Sequence, residues 1–283
     1  MDQMPRKLPL TVLRFSQYRA LAGGRRLYNQ PSSFAFHPPS HLTRYEFEAT
    51  LTMHRSIWEM APNLVEAHIL IKDDDFWSTS EEISLLASLC RLYVSHGKIL
   101  DYVRAPALVE LGFPLGTTGR PYLESFLARS SCTLQRLCIP DGIEFSPHEF
   151  NAHETLAVLN MVSTLIELRI IISNSSRQVN VLIAELTASD AGTNIVAPHL
   201  SCISFAPRPW LPVPFDYEAY VQMTKSRWES QQCALIRTEL CMTDSTPIRS
   251  LDLLRENGLQ FMLWTGLEAT KITGHWICSC TLD

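Results

Sequence analysis

Apolar residues recur along this chain in one phrase, Leu-x-x-apolar-x-apolar, whose last positions alternate as a half-buried strand does. It reads Leu10/Leu13/Phe15, Leu42/Tyr45/Phe47, Leu64/Ala67/Ile69, Leu89/Leu92/Val94 and Leu108/Leu111/Phe113. It continues as Leu134/Leu137/Ile139, Leu165/Leu168/Ile170, Leu200/Ile203/Phe205 and Leu235/Thr238/Leu240. Of these 27 positions 26 are apolar or aromatic, and Thr238 is the departure. Three phrases open with the tetrapeptide Ala-Pro-x-Leu, at Ala61, Ala105 and Ala197.

Between the phrases the period changes to that of a helix. Val179, Leu182, Ile183 and Leu186 form one stripe, and Tyr217, Tyr220, Val221, Thr224 and Trp228 form another behind Asp216, a good N-cap. Leu123, Phe126 and Leu127 mark a third helix, and Ile248, Leu251 and Leu254 a fourth, with Pro247 in its first turn and Gly258 past its end. Thr79 predicts a capped helix with Glu81 and Glu82 in its first turn, where the helix dipole favours acids. Successive first leucines are 32, 22, 25, 19, 26, 31, 35 and 35 residues apart. The shortest step leaves room only for a turn or short helix around residues 99–104.

A strand-plus-helix unit of this size cannot bury its apolar face alone, so the units must stack. The expected fold is α/β: an irregular leucine-rich-repeat-like solenoid, with parallel strands on one face and helices on the other. Residues 1–283 read as one solenoid of about nine degenerate repeats, with 259–283 as a C-terminal cap or tail. The asparagine ladder of regular leucine-rich repeats is missing; Lys72, Gly97, Gly116, Gly142 and Ser173 stand at that position.

Counting the first leucine as position 1, position 3 points to the open strand face and reads Arg44, Glu66, Arg91, Glu110, Arg136, Glu167, then Cys202 and Arg237. In-register parallel strands bring such residues to about 4.8 Å spacing. Alternating signs then make a structural charge ladder that penalises a shifted register. Position 5 is more varied: Arg14, Glu46, His68, Tyr93, Gly112, Cys138, Arg169, Ser204 and Glu239. Variety with an exposed aromatic is what a protein-binding face would show. Glu46, His68, Tyr93 and Arg169 are the candidate protein-binding residues.

Composition changes this picture little. The chain of 283 residues is 46% hydrophobic with a net charge of -5, which excludes disordered classes. No apolar run approaches a membrane span, so no membrane association is expected. Between Asp2 and Glu46 there is no acid but seven Lys or Arg residues, which we read as a solvated edge rather than a targeting peptide. An acidic protein without basic-aromatic interleaving is not expected to bind nucleic acid. Eight cysteines are too dilute for a disulfide scaffold, and free thiols fit a cytoplasmic or nuclear location.

No catalytic, cofactor or metal residues are expected. His148 and His153 are five apart, about 140° around a helix, so they cannot share a zinc ion as residues four apart do. Residues 112–120 match no phosphate loop and read as a repeat's turn. Asp73, Asp74 and Asp75 with Glu81 and Glu82 lack the spacing of a calcium loop. His275, Cys278 and Cys280 have no fourth ligand nearby, and Arg208-Pro209-Trp210-Leu211-Pro212 reads as a stiff loop rather than a polyproline ligand.

Several longer phrases carry a resemblance. They are Ala61 to Ala67, Leu92 to Ser95, Leu100 to Leu111, Ser130 to Leu134, Lys225 to Trp228 and Leu253 to Leu259. In this order they resemble the leucine-rich-repeat-like region of the expanded F-box proteins of mushroom-forming fungi, over roughly residues 8 to 265. The resemblance implies a substrate receptor whose F-box docks on the adaptor of an SCF ubiquitin ligase while the repeats hold a protein target. No F-box is visible in this chain: Leu8 to Leu13 is similar to its opening, but the downstream Cys-x-x-Trp-like portion is absent. Adaptor binding is therefore expected only if an F-box lies upstream. The alternatives are a repeat scaffold unrelated to ubiquitination and an enzyme whose site has no recognised pattern.

Overall fold

The computed structural model describes residues 11–15, 42–71, 82–140, 150–172, 176–188, 195–207, 215–242 and 249–277. Its strands are β1 (Thr11–Phe15), β2 (Leu42–Ala49), β3 (Glu66–Ile71), β4 (Ser84–Leu85), β5 (Arg91–Val94), β6 (Val103–Arg104) and β7 (Glu110–Gly112). Then come β8 (Arg136–Pro140), β9 (Glu167–Ile172), β10 (Cys202–Pro207), β11 (Arg237–Met242) and β12 (Gln260–Thr265). The helices are α1 (Leu51–Met60), α2 (Gly119–Ser130), α3 (Ala152–Met161), α4 (Ser176–Leu186), α5 (Tyr217–Glu229), α6 (Arg249–Glu256) and α7 (Gly266–Ile277), with a 3-10 turn at Gly97–Tyr102. The fold is α/β. Ten strands form one open parallel sheet in chain order, β1-β2-β3-β5-β7-β8-β9-β10-β11-β12, and β4 pairs with β6 in a separate two-stranded ribbon.

The repeating phrase sets this register through two devices. Its first leucine ends a tight turn, with Leu64, Leu108 and Leu200 N–H each donating to the alanine carbonyl of the preceding Ala-Pro-x at 3.2 Å. Proline suits the second place of such a turn because its φ is already fixed there. The next residue's carbonyl then accepts two N–H groups from the following strand: Val65 O takes Cys90 and Arg91, Cys90 O takes Val109 and Glu110, and Val109 O takes Gln135 and Arg136. Gln135, Ile166 and Ser201 continue the ladder in the same way. Each strand is thus started at the same height, whatever the length of the preceding spacer.

Positions 4 and 6 consequently fall in rows. Leu137, Leu168, Ile203 and Thr238 are neighbours, as are Ile139, Ile170, Phe205 and Leu240. These rows, the first leucines and the helix stripes make one continuous core that includes Val179, Leu182, Ile183, Leu186, Tyr220 and Leu251. Thr238 fits because its hydroxyl donates to Ile203 O at 3.0 Å and meets the Tyr220 hydroxyl at 2.6 Å. A second polar group lies inside the core near the N-terminus. Trp58 Nε1–H donates to the Tyr45 hydroxyl at 2.6 Å, and His54 lies between Tyr45 OH (3.4 Å) and Leu70 O (3.3 Å).

Asp216 caps α5 as its sequence position predicts, accepting from Ala219 N–H at 2.9 Å. The 19-residue step between Leu89 and Leu108 holds the 3-10 turn and β6. Two arginines tie helices to the loops before Ala-Pro turns. Arg129 donates to Leu100 O and Val103 O, and the fully buried Arg227 donates to Leu186 O, Val196 O and Ala197 O.

One expectation is corrected. The helix expected behind Thr79 does not include Glu82, which is in irregular backbone just ahead of β4 and pairs with Arg55 at 2.9 Å; Thr79 and Glu81 lie outside the described residues. A short strand forms there because Leu86 N–H bonds Arg104 O, alongside the pairing of Ser84–Leu85 with Val103–Arg104. The segment expected as cap or tail supplies a tenth sheet strand, β12, in register with β11. Phe261 and Leu263 keep the alternation, but Gly258 stands where the first leucine would be, so the phrase is hidden.

Candidate functional site: the charged strand face

Side chains alternate across a strand, so positions 3, 5 and 7 face away from the core. The pairing Arg44–Glu66–Arg91–Glu110–Arg136–Glu167–Cys202–Arg237 is continuous from β2 to β11. Position 5 runs beside it, from Arg14 through Glu46, His68, Tyr93, Gly112, Cys138, Arg169 and Ser204 to Glu239.

The two rows are wired to each other, which a row-by-row reading misses. Glu66 is fully buried and holds Arg44 at 3.5 Å, Arg91 Nε at 2.7 Å and His68 Nε2 at 3.4 Å. Glu167 is a hub for three arginines: Arg136 at 3.2 Å, Arg169 at 2.7 Å and Arg237 at 3.4 Å. Arg136 and Arg169 also reach Glu110, at 3.4 and 4.0 Å. Arg237 spans the strand on which Cys202 interrupts the alternation, donating to its sulfur at 3.2 Å, and also pairs with Glu239 at 3.2 Å. Ser204 donates to Glu239 at 3.1 Å.

Depth separates the signs. The side chains of Glu66 and Glu167 are 0% and 10% exposed, whereas those of Arg91 and Arg136 are 32% and 42% exposed. Short carboxylates sit on the sheet while long guanidinium stems rise past them to water, the snorkelling typical of arginine. Burial works against the charge of Arg169, but the carboxylates of Glu167 and Glu110 together outweigh it and raise its guanidinium above the ordinary value. Burial pushes the Cys138 and Cys241 thiols up to about 12 and raises Cys202 despite the donated hydrogen bond from Arg237. A thiol so raised is a poor nucleophile, since the thiolate is the reactive form.

Of the four candidate binding residues, Glu46 and Arg169 are half-buried, and His68 and Tyr93 are buried. Tyr93, expected as an exposed aromatic, is 4% exposed. Its ring lies along the sheet over Gly112, where an added Cβ would come within 2.6 Å of Tyr93 Cδ2, and packs against His68 at 5.7 Å. The missing side chain at Gly112 makes that space. Arg237 and Glu239 belong to the same network; their signal was their place in the two rows. Helix α7 also lies against this face, touching β11, β12 and β8, and no phrase in the sequence marks it.

Among the described residues, no group of three or more His, Cys, Asp or Glu is arranged to hold a metal ion, and no helix is long and apolar enough to cross a membrane. Cys278, Cys280, His148, residues 73–75 and the proline-rich stretch 208–214 lie outside the described residues. No protein-family model matches the chain, no curated protein matches it, and no solved structure matches it.

Proposed function

We propose that this chain is a non-catalytic, protein-binding solenoid of leucine-rich-repeat type, and that a protein target docks on the charged strand face. The observation that carries this reading is the contrast within each strand. Positions 4 and 6 repeat one apolar chemistry in fixed register, while positions 3 and 5 vary and end in a layer of guanidinium groups above buried carboxylates. Arginine is enriched where proteins recognise one another, because it offers a planar fork of donors on an apolar stem. Its carboxylate partners already hold these side chains in place, so less rotamer freedom is lost on docking. The narrower proposal, supported by the sequence resemblance, is the target-recognition region of an F-box-type receptor of an SCF ubiquitin ligase, or an F-box-less relative.

The test is affinity purification of the tagged chain from its own cells, beside the variants Arg91→Ala, Arg136→Ala and Arg169→Ala. A protein recovered with the native chain and lost with these variants, at unchanged thermal unfolding, supports the reading. Recovery that is indifferent to all three overturns the assigned face. Ligase adaptor and cullin in the eluate support the narrower proposal, and their absence from a tagged full-length transcript product overturns it. His68 and Tyr93 are unsuitable probes, because burial makes their substitution a test of folding.

A further inference from the structure

A second hydrophobic cluster lies on the charged side of the sheet, separate from the main core. Cys138, Ile171, Ala206 and Cys241 are buried there with Ala269 of α7, and Trp264 and Ile272 pack beside them. The sheet residues come one each from β8 to β12, mostly at position 7, so they form an oblique apolar strip beside the charged rows. The lengths match. Twelve helical residues span about 18 Å, and four strand spacings from β12 to β8 span about 19 Å. Gly266, at φ +56, turns the chain directly out of β12 onto this face.

The seat is shallow. α7 offers the strip Ala269, Ile272 and Thr273, the last hydrogen-bonded to the Cys241 thiol. Leu267, Glu268, Thr270 and Lys271 are exposed, Leu267 by 83%. Helix α4, by contrast, sends Val179, Leu182, Ile183 and Leu186 fully into the main core. A helix of this length is marginal without tertiary support, so α7 depends on the strip. Beside it the Trp264 indole N–H is buried with no acceptor among the described residues, a cost to the closed arrangement.

We propose that this strip is a helix-docking site for a partner protein, and that α7 is its intramolecular occupant. The partner presents one face of an amphipathic helix, with a small residue and a branched residue three places apart, and displaces α7. This rests on the reading of the strand face as protein-binding and narrows it to a helical ligand at β8 to β12. With no partner, α7 keeps the apolar strip from water.

The test uses a fluorescein-labelled peptide with the sequence of Gly266 to Ile277, titrated with full-length chains and followed by anisotropy. Ala269→Arg should release α7 and bind the peptide at least tenfold more tightly than the native chain, and Ile272→Arg should do the same. Leu267→Arg should behave as native. Thr273→Cys places a thiol opposite Cys241; once oxidised to that disulfide the chain should not bind peptide, and reduction should restore native behaviour. Equal binding by all chains, or binding by none, overturns the proposal. So does cooperative unfolding of Ala269→Arg and Ile272→Arg, which would make α7 a permanent part of the fold. Target capture that depends on Arg91 and Arg136, with peptide binding unchanged by Ala269→Arg, overturns the strip and leaves the broader reading standing. Peptide binding on release, with no target captured in any background, overturns the broader reading and the external partner with it.

Discussion

The two sides of the main sheet are built from the same strands yet answer to different physics. On the helix side, positions 4 and 6 are apolar except for Thr238, mostly fully enclosed and nearly interchangeable from strand to strand. On the other side, at positions 3 and 5 from β2 to β11, five arginines (44, 91, 136, 169, 237) face five glutamates (46, 66, 110, 167, 239), and most pair across strands. The helix side gains its energy from area removed from water, a term without direction. The charged side gains little net energy per pair, because desolvation opposes attraction, but a strand slipped by one residue would face like with like or bury a charge alone. One side holds the stack together, and the other rejects wrong registers.

That contrast predicts unequal costs for substitution. The largest is expected on the helix side. Phe205→Ala removes a fully buried ring that packs on Phe215 and Tyr220, and should cost about 3–5 kcal/mol. Urea unfolding would show this as a lowered midpoint at unchanged slope, and a loss under about 1 kcal/mol would mean that the core collapses to fill the space.

His54 is a polar group enclosed on the helix side, and acid should expose its contribution. Burial lowers its pKa from 6.5 to about 4, so the folded chain holds a neutral ring where the unfolded chain takes up a proton below pH 6.5. Its stability contribution is therefore complete above that pH and falls progressively down to about pH 4. The total loss is on the order of 3 kcal/mol. Carboxylates titrate in part of the same window, so the useful quantity is the difference between native and His54→Phe stability curves. A difference that does not change between pH 7 and pH 4 would remove this residue from the account.

On the charged side the three-arginine hub Glu167 offers the next test. Glu167→Ala strips the shared partner from Arg136, Arg169 and Arg237, but those arginines are partly exposed and water can replace the carboxylate. We expect about 2 kcal/mol, less than for a fully buried pair. Arg136→Ala, with a 42% exposed side chain, should cost under about 1 kcal/mol. Equal losses from the two would show that the hub has no special place in the network.

The register of this sheet was legible because one phrase encodes both a turn and an alternation: Ala105-Pro106-Ala107-Leu108 starts the strand, and Leu111 names its buried side. β12 was missed where Gly258 replaces the leucine, although Phe261 and Leu263 follow the rule. The rows of the charged face were readable as rows, but not their depth. Whether Glu66 lies beneath Arg91 or beside it depends on the neighbours' side-chain lengths, and Tyr93 is buried because of a glycine on the next strand. The seat of α7 depends on where five distant strands bring Cys138, Ile171, Ala206, Cys241 and Trp264, and no local pattern encodes that.

Gly112 offers the finest test of the contrast, since it asks what a small addition of bulk costs on each side. On the charged side, Gly112→Ala places a Cβ 2.6 Å from Tyr93 Cδ2, so the ring must move. It can tilt outward, toward water, and the expected loss is under about 1 kcal/mol. On the helix side, Ala67→Val adds bulk at a fully enclosed position with nowhere to go, and should cost about 1–3 kcal/mol. A double-mutant cycle isolates the cause: with Tyr93→Ala as background, the penalty of Gly112→Ala should vanish, because the clash is gone and an alanine in extended strand backbone is favoured over glycine. If the penalty persists without the ring, the glycine is required by the backbone itself, and the burial of Tyr93 follows from something other than the space that Gly112 leaves.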